Sequence, residues 1–270
     1  RGDMDALKDR LSGLLGRRVL SLRRMAGGDL SVVYELTLSD GAWAVAKHGD
    51  GAGREGAMLR AIAATGVPAP AVLAVDDGWL VMEKLPAEGA LVAAWDDLAA
   101  WLNRLHAPTD EPYGWLHNHS LGAVAMPNPR TDDWPAFWAE HRLRCHIAHV
   151  DAGLGTRIGY LADRLSDHVP QRPPASLLHG DLWGGNALVS GTRVSGLIDP
   201  ACYFGDREVD AAMLTLFDHP PASFFDALNL EAGWRERLPV YRLWPLLVHL
   251  RLFGPAYAAA VDADLRRLGV

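Results

Sequence analysis

Cysteine is nearly absent from this chain of 270 residues: Cys145 and Cys202 are the only two, and no Cys-x-x-Cys pair occurs. Neither a disulfide framework nor a thiolate zinc site is indicated, which fits a reducing cytoplasm. Basic residues are outnumbered, 26 against 33 acidic ones for a net charge of -7, and the lysines and arginines are scattered. Phosphate-backbone binding needs a basic face, so no nucleic-acid partner is expected. No apolar run approaches the roughly twenty residues needed to cross a bilayer, and the N-terminus lacks a charged-then-apolar export pattern. A soluble protein with no membrane partner is therefore expected. Repeats and low-complexity tracts are missing, as are G-x-x-x-x-G-K-[ST], H-E-x-x-H and G-x-S-x-G. The chain opens at Arg1 with its first methionine at Met4, so its first few residues carry no argument.

What is present is an apolar content of 49%, enough for a sizeable core without staples. After a short amphipathic helix (about Met4 to Leu15), Val19 to Arg24, Ser31 to Leu38 and Ala42 to Lys47 alternate like strands around turns at Ala26-Gly27-Gly28-Asp29 and Ser39-Asp40-Gly41. A helix from about Arg54 to Thr65 stops at Gly66 and Pro68, and strands Ala71 to Val75 and Trp79 to Glu83 follow. Five strands around one helix make a small N-terminal lobe, residues 1–85. Leu85 to Gly89 breaks the periodicity as a connector. From residue 86 on, helical spacing dominates: Leu91, Trp95, Leu98, Leu102 and Leu105, then Leu154, Ile158, Leu161 and Leu165. Trp134 to Val150, Arg207 to Phe217, Ala222 to Leu230 and a long tail from Trp234 to Leu268, punctuated by Pro239, Pro245 and Pro255, read the same way. The fold class is α+β, with one hairpin expected to interrupt the helical lobe.

That hairpin carries the chemistry. His179-Gly180-Asp181-Leu182-Trp183-Gly184-Gly185-Asn186 is followed thirteen residues later by Asp199, in Leu197-Ile198-Asp199-Pro200. Asn186 to Val189 and Arg193 to Ile198, joined at Ser190-Gly191-Thr192, read as two strands, so Asn186 and Asp199 fall near each other at the open ends. A carboxylate to orient an acceptor hydroxyl plus oxygen ligands for magnesium is the minimal kit for phosphoryl transfer. Asp181 is the candidate base; Asn186 and Asp199 are the candidate metal ligands. His-Gly-Asp alone reads equally well as an ordinary turn.

Lys47 ends the third strand and Glu55 opens the next helix, the spacing of a phosphate-contacting lysine held by a helix glutamate. Gly27-Gly28-Asp29 lies in the first turn, where backbone N–H groups could cover ATP phosphates. Met82-Glu83-Lys84-Leu85 leaves the last strand, either as an adenine-binding connector or as a plain strand end. Trp183 beside Asp181 is a candidate wall for a sugar ring. Gly51-Ala52-Gly53-Arg54-Glu55-Gly56 spells G-x-G-x-x-G, but a dinucleotide fold demands continuing β-α alternation, which the rest of the chain lacks. His141, His146 and His149 are expected on a helix surface rather than on a metal, since no carboxylate or cysteine joins them at ligand spacing.

In these motifs the chain resembles the fructosamine kinase (ketosamine-3-kinase) family, within the aminoglycoside-phosphotransferase-like branch of the protein kinase-like two-lobe fold. The resemblance covers nearly the whole chain. It is carried by His179 to Asn186 with tryptophan after Asp-Leu, Ile198 to Ala201, Gly205 to Asp210, Ala211-Ala212-Met213, Asn128, Asp133-Trp134, Phe137, Arg142-Leu143 and Tyr241 to Leu250. It implies ATP- and Mg2+-dependent phosphorylation of the sugar 3-hydroxyl of ketosamines, including fructosamines on glycated lysines. It implies Asp181 as base, Asn186 and Asp199 as magnesium ligands, Lys47 as phosphate contact and Glu83 to Leu85 as adenine connector. His179 and Trp183 are expected beside the substrate, and the protein is expected as a monomer or weak homodimer. Gly185 stands where many relatives have serine, and Asp29 where some carry a cysteine linked to redox-dependent dimerisation.

Overall fold

A computed structural model describes residues 1–26 and 31–270. Helix α1 (Gly2–Leu15) ends where Gly16 turns left-handed and its N–H bonds Ser12 O. The strands β1 (Val19–Met25), β2 (Val32–Leu38) and β3 (Trp43–His48) form a meander; α2 (Ala52–Ala64) intervenes, and β4 (Val72–Val75) and β5 (Trp79–Glu83) complete an antiparallel sheet in the order β1-β2-β3-β5-β4. Side-chain turn chemistry fixes the tight connections. Asp40 Oδ1 accepts from Ala42 N at 3.0 Å, and Asp76 Oδ1 accepts from Gly78 N and Trp79 N at 3.0 and 2.8 Å. Leu59 of α2 packs on Leu80 and Met82, while Met58 and Ile62 point into the second lobe's core.

The second lobe contains α3 (Trp95–Leu105), the hairpin β6 (His119–Leu121) and β7 (Val124–Met126), α4 (Trp134–Trp138), α5 (Ala152–Asp163), β8 (Ser176–Leu178), the hairpin β9 (Ala187–Ser190) and β10 (Arg193–Leu197), β11 (Tyr203–Gly205), and helices α6 (Glu208–Phe217), α7 (Ala222–Leu228), α8 (Trp234–Phe253) and α9 (Ala258–Arg267). Two short strand pairs beyond the expected hairpin break the helical pattern: β6 with β7, and β8 with β11. Their three-residue strands are too short for alternation to register. The lobe's core is aromatic, with Trp134, Trp138, Tyr203, Tyr241 and Trp244 almost fully buried.

The run Trp134 to Val150, expected as one helix, is α-helical only through Trp138; it widens into a π turn over Ala139–Leu143 and tightens to 3-10 over Arg144–His149. The buried Arg142 accompanies the change. Its guanidinium donates to Pro127 O (2.6 Å) and Asn128 Oδ1 (2.5 Å) and lies 4.2 Å over the Tyr203 ring. A cation inside the core needs these partners, and the π turn occurs where the side chain must reach them. His146 also departs from the expected surface position: it is fully buried, its ring centroid 5.0 Å from that of Trp244. Pro239 and Pro245 sit inside α8 without ending it. Among the described residues no helix is long and apolar enough to cross a membrane.

Candidate active site

The loop from His179 to Asn186 is braced by two carboxylates: Asp218 Oδ2 accepts from Gly184 N at 2.8 Å, and Asp210 holds the loop's start. Asp210, in the first turn of α6 and 1% exposed, accepts from His179 N (2.9 Å), Gly180 N (3.0 Å) and His106 Nε2 (2.7 Å). Burial alone would raise its pKa, but these donors and the neighbouring imidazoles hold it below the usual carboxylate range. Gly180 is required here: its φ is 86°, and a Cβ would lie 2.0 Å from Ala201 O. His179, expected among the substrate contacts, is instead fully buried. Its Nε2 donates to Ile198 O (2.7 Å) and its Nδ1 accepts from Asp181 N (3.1 Å), so it ties the loop to the strand that delivers Asp199. Burial lowers its pKa, which keeps the ring in that neutral form. Asp210 ends the Gly205 to Asp210 run that carries the family resemblance but has no role assigned by it, and His106 is marked by nothing local; both lie far from the loop in the chain and meet it only in the fold.

Asp181 is pushed up to about 7, first by burial and then by the charge of Asp199. Asn186 Nδ2 donates to Asp181 O at 2.8 Å, which orients the amide and leaves its Oδ1 as the free acceptor end. The hairpin closes as expected, with Ile198 N donating to Asn186 O at 2.9 Å, and places Asp199 beside Asn186. Asp199 is left-handed at φ 50° although a proline follows, an uncommon conformation for a non-glycine residue. Lys47 Nζ lies 2.6 Å from Glu55 Oε1 and 2.7 Å from Asp199 Oδ1, bridging the lobes. Burial would lower the Lys47 pKa, but the two carboxylates outweigh it and raise the value. Burial raises that of Glu55, with Lys47 pulling the other way.

Three spaces converge on these groups. A cavity of about 330 Å³ lies between the lobes, lined by Val33, Val45, Met82, Leu85, Ile198 and Asp199 among others; it offers apolar faces and the connector's backbone, as an adenine site requires. Glu83 and Lys84 line it too, but their side chains are engaged elsewhere: Glu83 Oε1 with Ala71 N (2.9 Å), and Lys84 Nζ with Glu35 Oε2 (2.7 Å) and the Trp43 ring. A second space of about 260 Å³ opens from Lys47 and Glu55 toward β6. A third, of about 580 Å³, lies beside Asp181 and Trp183 against α8. Trp183 is 41% exposed, and a Cβ on Gly185 would come within 2.3 Å of its ring, so glycine at that position lets the indole fold back over the loop. Gly27, Gly28 and Asp29 lie outside the described residues.

Asn186 Oδ1 and the second oxygen of Asp199 are hard donors suited to magnesium. Among the described residues no group of three or more His, Cys, Asp or Glu is placed to hold a metal by itself, and the remaining positions around a magnesium ion suit water and the oxygens of a nucleotide phosphate. Two oxygen donors beside a lysine fit a cation that arrives with its nucleotide.

The fructosamine kinase family model matches residues 18–268. A Synechocystis protein named probable ketoamine kinase slr1563 is 34% identical over 77% of this chain and 75% of its own length. The Escherichia coli O157:H7 protein named probable ketoamine kinase YniA is 37% identical over 75% and 74%. The crystal structure of a candidate fructosamine-3-kinase from Thermobifida fusca superposes with a TM-score of 0.89 at 30% identity, covering 97% of this chain and 98% of that one. The aminoglycoside phosphotransferase APH(4)-Ia, at 18% identity and a TM-score of 0.73 over 97% of this chain and 98% of its own, shares the protein kinase-like fold. Matched over residues 18–268 by the family model and by relatives over about three quarters of its length, the chain belongs to the fructosamine kinase family and is an ATP-dependent small-molecule kinase.

Proposed function

We propose that the protein transfers the γ-phosphoryl group of magnesium-bound ATP to the 3-hydroxyl of a ketosamine, making the adduct labile and reversing glycation. The observation that carries this reading is the position of Asp181. It lines the pocket beside Trp183, yet lies close enough to Asp199, at the nucleotide cavity, for the two charges to interact. Asp181 orients the acceptor hydroxyl and takes its proton; a carboxylate pushed toward neutral pKa is the better proton acceptor. Lys47, fixed by Glu55, contacts the phosphates, and Met82 to Leu85 hold the adenine edge. Asn186 and Asp199 hold magnesium, which neutralises charge on the transferred group. Trp183 offers its face to the sugar. We place the boundary between the nucleotide-binding lobe and the acceptor-binding lobe at residues 85 and 86.

The acceptor pocket favours a ketosamine over a polycationic aminoglycoside, because Asp181 is the only carboxylate among the described residues lining it. The test offers ATP-Mg with fructosyl-lysine, ribulosyl-lysine and kanamycin, and reads the product by phosphorus NMR. A sugar 3-phosphate from either ketosamine is expected. Turnover with kanamycin alone would overturn the assignment.

A further inference from the structure

The pocket beside Asp181 has a chemistry that a sugar alone does not require. Its wall away from the loop is Trp244, Pro245, Val248, His249, Leu252 and Phe253, all from α8. From it an aromatic series runs outward. The ring centroids of Trp183 and Phe217 are 6.2 Å apart, those of Phe217 and His249 4.9 Å, and those of His249 and Phe253 5.5 Å. Trp183, Phe217 and Phe253 are 41, 38 and 54% exposed. Large aromatic side chains gathered wet around one opening mark a binding surface. Such a wall attracts two things: apolar groups, and cations seated over ring faces.

His249 adds direction. Its Nδ1 lies 2.7 Å from Pro245 O, and a carbonyl oxygen only accepts, so Nδ1 carries the hydrogen and Nε2 keeps its lone pair. Burial lowers the His249 pKa, so the ring is uncharged at neutral pH. No other protein group among the described residues donates to Nε2. The pocket thus offers aromatic faces, one imidazole acceptor and Asp181, with no cationic side chain among the described residues lining it.

We propose that the pocket recognises the acceptor through its amine: a protonated secondary ammonium over the faces of Trp183 and Phe253, one N–H donated to Nε2 of His249, and an apolar substituent on the nitrogen against Val248 and Leu252. The inference rests on the ketosamine reading and narrows it to ketosamines of apolar primary amines. A ketose lacking nitrogen, or one whose nitrogen is an uncharged amide, has nothing to place there. A hydrogen bond from a charged donor and a desolvated cation–π contact each contribute enough to change affinity by about tenfold.

The test uses the intact enzyme with ATP-Mg and two isosteric acceptors, 1-deoxy-1-benzylamino-fructose and its neutral ether counterpart 1-O-benzyl-fructose. The amine is expected to be at least about tenfold better in kcat/KM, mainly through KM. His249→Phe keeps a ring in the aromatic series but removes the lone pair, and should shrink the amine-to-ether ratio several-fold. Phe253→Ala, at an exposed position that tolerates truncation, should raise KM for the benzylamine more than for the methylamine analogue. Equal kcat/KM on amine and ether in the unmodified enzyme overturns the inference. Should no ketosamine be phosphorylated, the proposed activity fails separately, and quenching of tryptophan fluorescence decides the inference by itself: tighter binding of the amine than the ether upholds it, and equal binding overturns it.

Discussion

Asp181, the proposed base, sits where its surroundings make ionisation costly. Burial and the charge of Asp199 raise its pKa to about 7, far above an exposed aspartate. Asp181→Asn keeps the shape but cannot take the hydroxyl proton, so transfer should drop by at least about 10²-fold, while calorimetry should find nucleotide affinity within a few-fold of the parent. Full activity in that variant would remove Asp181 from the reaction. The same shift fixes the sign of a stability effect. Between the ordinary aspartate pKa of 3.8 and about 7 the folded chain binds the Asp181 proton more tightly than the unfolded chain does, so the stability given by this protonation is lost as pH rises through that window. Asn cannot ionise. Asp181→Asn should therefore melt higher than the parent at pH 8, and the gap should close toward pH 4; a gap that widens on acidification would contradict the burial argument. Asp181, Asn186 and Asp199 were legible in the sequence because a short glycine-rich loop and one hairpin bring them together. His179 misled because its place in the motif says nothing about which way the ring turns, and its two backbone partners turn it inward.

At the scale of elements, the helix behind the loop matters as much as the loop. Three donors converge on Asp210 at the start of α6, and two of them are backbone N–H groups of His179 and Gly180. Removing the carboxylate strands those N–H groups and His106 in a dry interior. Asp210→Ala should cost about 3–5 kcal/mol in chemical denaturation and abolish transfer, because Asp181 loses its foundation. Asp210→Asn keeps one acceptor oxygen and should fall between the two; an Ala variant as stable as the parent would show that the network carries no weight. This support was invisible to local pattern reading, since α6 lies about thirty residues from the loop. The sheet was legible nearly to the residue, because its turns are written in Asp and Gly and its strands alternate. The segment after Trp134 was not: its periodicity is helical, but the partners that Arg142 reaches, Pro127 and Asn128, lie outside the segment and decide its pitch.

The whole molecule is two lobes tied across one cleft. Leu197 N donates to Pro68 O (2.9 Å) and Arg104 Nε to Thr65 O (2.7 Å), and the Lys47–Asp199 ion pair crosses beside them. The sequence announced a strand-rich lobe followed by a helical one, which is enough to locate the nucleotide side. It did not announce the pocket proposed for the acceptor, whose wall comes from α8 more than fifty residues past Asp181, inside a helix whose prolines read as interruptions. A ligand held by both lobes stabilises the molecule as one body. ATP with magnesium at about a hundred times its Kd should add about 2.7 kcal/mol, a rise in Tm of roughly 5–10 °C for a chain of this size. ATP with EDTA should give a smaller rise, since the apolar cavity and Lys47 remain while the oxygen donors of Asn186 and Asp199 have no cation to bind. Asp199→Ala should erase most of the difference between the two conditions and keep the smaller rise. If scanning calorimetry finds the magnesium increment undiminished in Asp199→Ala, the cation is held elsewhere and the cleft does not work as a magnesium-nucleotide site across both lobes.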